Sequence, residues 1–131
     1  MALSTPSTCG PASAATLFRQ FGVEVGEREL ARECFSSRTG TENWYLARAF
    51  RRRGFDVEFV KMTDVPAELR GPAIAGVRVE GRGHFIPVLG VTNGFAELGD
   101  PMIGYERVGL GGLAQRYEFT GFLMVIKPAT R

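Results

Sequence analysis

Gly54-Phe55-Asp56-Val57-Glu58-Phe59 is the stretch on which the fold turns. From Phe55 to Phe59 aromatic and aliphatic residues alternate with acidic ones, a period of two that marks a strand with one buried face. Upstream, the period is helical. From Ala14, apolar residues recur at Leu17, Phe18 and Phe21, the spacing of one helix face, with Pro11 suited to the first turn and Gly22 as the stop. A second helix is expected from Glu27 to about Phe35. A third runs from about Thr41 to Arg53, with Leu46, Ala49 and Phe50 inward and Gly54 as its terminator. Downstream, Val65–Leu69 reads as one helical turn. Residues 73–79, 84–91, 95–99 and 121–127 read as strands, and Asn93-Gly94 is a hairpin signal. Helices first and strands afterwards predict an α+β domain with an antiparallel sheet, not an alternating parallel one.

The chain has 131 residues, 44% apolar and 23% charged. That is enough for one core, so residues 1–131 are taken as one domain. Its single histidine, His84, and two cysteines, Cys9 and Cys34, exclude within one chain any metal site that needs two histidines. The net charge of +2 gives little reason to expect a nucleic-acid partner. The densest basic run, Arg51-Arg52-Arg53, reads as a solvated helix end. Apolar runs such as Phe122–Ile126 are far shorter than the roughly 20 residues of a membrane span. The N-terminus lacks the basic lead and apolar run of a secretory signal, so a reducing compartment is expected.

Cys9 lies in Thr8-Cys9-Gly10-Pro11-Ala12, where an irregular segment becomes the first helix. Unpaired N–H groups and the helix dipole stabilise a thiolate there, and Gly10 leaves room for a substrate to approach closely. The same pattern also suits a small, inert, buried cysteine. His84 opens a strand and on its own reads as a half-buried residue. Together the two make a thiol nucleophile and its base, a pair that needs a third group to hold the imidazole. Asp100, in Gly99-Asp100-Pro101, is the candidate. A hairpin loop of Asn93-Gly94 alone sets Asp100 against Pro87, on the wrong face. A three-residue loop, Thr92-Asn93-Gly94, with Gly94 left-handed and a bulge, pairs Val91 with Phe95 and sets Asp100 against Ile86, diagonal to His84. The three-residue loop is therefore the expectation.

Other features read as structural. Cys34 belongs to the core, the alternative being a disulfide to Cys9 that would remove the nucleophile. A zinc site from Cys9, Cys34, His84 and Asp100 lacks any short ligand spacing, so no metal is expected. Gly109, Gly111 and Gly112 lack the lysine and the strand-to-helix context of a phosphate loop. Trp44 and Tyr45 on the third helix read as core or rim.

Taken in order, Cys9-Gly10-Pro11-Ala12, Phe21-Gly22-Val23, Gly40-Thr41 with Leu46 and Gly54, Pro72-Ala73-Ile74, His84-Phe85, Asp100-Pro101 with Gly104, and Phe119–Leu123 span nearly the whole chain. The sequence so read resembles the papain-like cysteine peptidases that process bacteriocins after a double-glycine leader. The resemblance implies a papain-like fold, with the nucleophile at the start of the first helix and helices packed on a C-terminal antiparallel sheet. It implies Cys9 as nucleophile, His84 as base and then acid, Asp100 as the group orienting the imidazole, and no cofactor. Gly10, Trp44, Gly83 and Phe85 would bind the peptide, and the Cys9 backbone N–H would serve the oxyanion. Such peptidases place a glutamine six residues before the cysteine as oxyanion donor; here that position is Leu3, which cannot donate. The implied activity is a thiol endopeptidase acting on Gly-Gly leaders. The alternative is a degenerate, non-catalytic domain that binds leader peptides or regulates a larger transporter or other membrane protein. The implied location is cytoplasmic, at the inner face of the membrane where the domain is part of such a protein.

Overall fold

The computed structural model describes residues 9–34, 43–100 and 104–128, with Cys9, Arg82 and Asp100 described by their backbone. Three helices come first: α1 (Cys9–Gln20), α2 (Glu27–Glu33) and α3 (Asn43–Arg51). They are followed by β1 (Phe55–Lys61), β2 (Ala73–Val79), β3 (Arg82–Thr92), β4 (Phe95–Asp100), β5 (Gly104–Gly109), α4 (Leu110–Arg116) and β6 (Glu118–Pro128). The six strands form one sheet in the order β1-β6-β2-β3-β4-β5, with every neighbouring pair antiparallel. The expected α+β architecture is the one observed. Gly22 and Gly54 end their helices at φ 82° and 88°, a backbone conformation that glycine adopts without a Cβ penalty.

Both faces of the sheet are covered, which explains why β2 is buried at five successive positions. Ile74, Met124 and Ile126 face the helices and close a core with Leu17, Phe18, Leu30, Leu46 and Phe50. Phe18 stacks on Phe50 with ring centroids 4.2 Å apart and meets Phe55 edge-on at 6.0 Å, geometries worth about 1 kcal/mol each beyond burial. Ala73, Ala75, Val77, Ile86, Val88 and Leu98 face the other way, against Leu113 of α4 and Tyr117 just after it.

Four expectations need correction. The β3–β4 turn is the two-residue loop: Thr92 pairs with Phe95, and both Asn93 (φ 52°) and Gly94 (φ 78°) are left-handed, the paired conformation that matches strand twist. The bulge sits inside the hairpin, between Val88 and Gly90. Val65–Leu69 forms no helical turn, because Pro66 disfavours a helical Val65. Leu69 instead bridges Val91, with N–H···O bonds of 2.9 and 3.0 Å in both directions. The basic run is also not simply solvated: Arg53 holds Glu33 through two bonds of 2.8 and 3.0 Å and lies over the Phe18 ring. Finally, β5 and α4 were absent from the expected elements.

Candidate functional site

Helix α1 begins at Cys9 and carries no acidic residue in its first turn, so the positive end of its dipole is not neutralised from within the helix. Gly10 and Pro11 are buried in that turn. One turn further, about 6 Å along the axis, Ser13 is fully buried and its hydroxyl donates to the Phe85 carbonyl at 3.2 Å. Phe85 follows His84 directly. The start of the helix that begins with Cys9 is therefore held against the start of the strand that carries His84.

His84 is half-buried and pairs with Val77 across β2, while Gly83 is exposed beside Arg78. Phe85 is half-buried and packs on the helix-side core. The guanidinium of Arg78 pairs with Glu118 at 3.3 Å, so the entrance to β3 is bordered by an ion pair.

Asp100 ends β4 and pairs with Gly104 of β5. The β3–β4 register shifts from Thr92↔Phe95 to Val88↔Leu98 across the bulge. Among the described residues, the pairing of β3 with β4 runs as far as Val88↔Leu98. A second contact fixes this end of β4: a Cβ at Gly99 would lie 2.8 Å from the Cγ2 of Thr16 on α1, so helix and strand approach as closely as only a glycine permits.

Of the remaining candidates, Trp44 is 56% exposed near the start of α3, a rim position, and Leu3 lies outside the described residues. Cys34 is a free, fully buried thiol whose Sγ–H donates to the Tyr45 carbonyl at 3.5 Å. Burial pushes its pKa up to about 11, so it is an inert core group and not half of a disulfide. The sequence reading missed Ser13, Thr16 and Gly99. Their signal was present: a serine on the same helix face as Leu17, and a glycine directly before the candidate aspartate. On the other face of the sheet a cavity of about 510 Å³ is lined by Val77, Ile86, Leu110, Leu113, Tyr117 and Phe119.

The sequence profile described as the peptidase C39 family matches residues 3–131. An uncharacterized protein of Methanothermobacter marburgensis is 32% identical over 124 residues, covering 95% of this chain and 84% of that protein. Among solved structures, the peptidase domain of Streptococcus ComA, a bi-functional ABC transporter involved in a quorum-sensing pathway, superposes with a TM-score of 0.75 at 18% identity, over 98% of this chain and 96% of that one. A double-glycine-motif protease from an AMS/PCAT transporter, solved with its leader peptide, gives 0.75 at 21% identity, over 98% and 89%. At these identities the two structures speak for the fold.

Proposed function

Because this chain belongs to the peptidase C39 family, we propose that it is a thiol endopeptidase that cleaves peptides after a double-glycine leader, with Cys9, His84 and Asp100 as its catalytic group. The observation that carries this reading is the Ser13–Phe85 bond at 3.2 Å, which joins the first turns of the Cys9 helix to the residue beside His84. The helix N-terminus favours a Cys9 thiolate, and a proton taken up by His84 makes the pair an ion pair ready for attack. The thiolate adds to the scissile carbonyl, and the Cys9 backbone N–H donates to the oxyanion. Collapse of the adduct breaks the C–N bond as His84 protonates the leaving amine. Water, deprotonated by His84, then hydrolyses the thioester and restores the thiol. Asp100 holds the imidazole tautomer. Gly10 and Gly83 offer no side chain to a passing peptide, which suits a narrow cleft selective for Gly-Gly, with Phe85 and Trp44 as its apolar walls. In this reading the partners are a leader-bearing peptide and a membrane transporter, and the domain works at the cytoplasmic face as part of a larger protein.

Leu3 favours a second reading. Without a side-chain oxyanion donor, the domain would bind leaders or regulate a transporter without cutting. Iodoacetamide labelling of Cys9 at about pH 7 separates the two. An active peptidase gives fast labelling that slows in His84→Ala, whereas a binding module gives slow labelling indifferent to that substitution.

A further inference from the structure

The paired register of β3 and β4 runs from Thr92↔Phe95 to Val88↔Leu98, yet both strands continue, β3 back to His84 and β4 on to Asp100. Near His84 and near Asp100, one helix, α1, touches both strands. Ser13 bonds the carbonyl of Phe85, next to His84. Thr16, three residues on and so on the same helix face, abuts Gly99, next to Asp100. The Thr16 side chain is itself held by a bond from its hydroxyl to the Ala12 carbonyl at 3.1 Å. One helix that starts with the nucleophile therefore gauges the separation of the two strands carrying the other candidate groups. Ser13 is fully buried, the only buried polar residue among those described, and its hydroxyl is spent on this contact.

We infer that Ser13 is a positioning residue: through the Phe85 carbonyl it sets His84 at working distance from Cys9, and Thr16 against Gly99 does the same for Asp100. The inference rests on the peptidase reading above. It is distinct from a packing role, because alanine suits a helix interior better than serine and Ser13→Ala leaves no cavity of consequence. The substitution should disturb the alignment more than the fold.

The test is a double-mutant cycle on the labelling rate of Cys9 by iodoacetamide, with Ser13→Ala, His84→Ala and the pair, each read by peptide mass mapping and followed from about pH 5 to 9. Ser13→Ala is expected to slow labelling about tenfold at neutral pH and to move the rate profile upward by about one pH unit. In the His84→Ala background the same substitution should change the rate by less than about twofold. Thermal unfolding of each variant fixes a temperature at which all are folded. Equal slowing by Ser13→Ala in both backgrounds means the hydroxyl acts on packing alone and overturns the inference while the peptidase reading stands. A wild-type rate already indifferent to His84 overturns both.

Discussion

Gly99→Ala probes the contact between α1 and β4 directly. A Cβ at this position would lie 2.8 Å from Thr16 Cγ2 and 3.7 Å from both methyls of Leu89. The Leu89 contacts are ordinary, whereas the Thr16 contact is about 1 Å inside normal carbon–carbon separation. Thr16 cannot rotate away cheaply, since it is branched at Cβ and its hydroxyl is bonded to the Ala12 carbonyl. Relief requires α1 to lift from the sheet. Overpacking of this kind costs about 1–3 kcal/mol. Replacing glycine in a strand recovers roughly 0.5–1 kcal/mol, leaving a net loss of about 1–2 kcal/mol. For a chain of this size that lowers Tm by about 4–8 °C. Thr16→Ser removes Cγ2 and keeps the hydroxyl, so Gly99→Ala combined with Thr16→Ser should regain most of the loss, a coupling of at least about 1 kcal/mol by thermal or urea unfolding. A neutral or stabilising Gly99→Ala, or a double variant no better than the single, would refute the close approach and with it the role of α1 as spacer.

Three further outcomes are expected. The Arg53 guanidinium bonded to Glu33 holds its carboxyl below the usual range, so the pair's stabilisation is complete above about pH 4.3 and is lost as pH falls through the lowered value. Urea unfolding of Glu33→Gln should accordingly show a deficit of about 1–2 kcal/mol at neutral pH that shrinks as pH falls through that lowered value. Cys34, with its thiol at about 11, should resist iodoacetamide in the folded chain and react only above the urea midpoint. Leu3→Gln should raise leader-peptide cleavage about 10²–10³-fold if the lost oxyanion donor is what limits the rate, and an unchanged rate dismisses that explanation.

The architecture was legible because hydrophobic period carries it: the helical spacing of Leu17, Phe18 and Phe21, then the alternation at Phe55, Val57 and Phe59, place the boundary at Gly54. What escaped depends on contacts remote in sequence. Strand β5 is an edge strand with charged and aromatic side chains and lacks an apolar alternation. Helix α4 contains Gly111 and Gly112 and has little intrinsic propensity. It is held by Leu113 and Tyr117 in the core and by Arg116 bonded to Glu106 at 2.6 and 2.8 Å. At the site, residue types nominated Cys9, His84 and Asp100, but the register joining β3 to β4 depends on a bulge that no local signal announces. Ser13 shows the same limit, since a small polar residue in a helix reveals its partner only when the strand opposite is known.

The most direct measurement is mass spectrometry of a synthetic double-glycine leader peptide incubated with the chain and with Cys9→Ala. Cleavage after the second glycine by the wild type, abolished in Cys9→Ala, is the expected result. An intact peptide with both the wild type and Leu3→Gln, or cleavage that survives Cys9→Ala, would contradict the assignment of Cys9 as the nucleophile of a double-glycine peptidase.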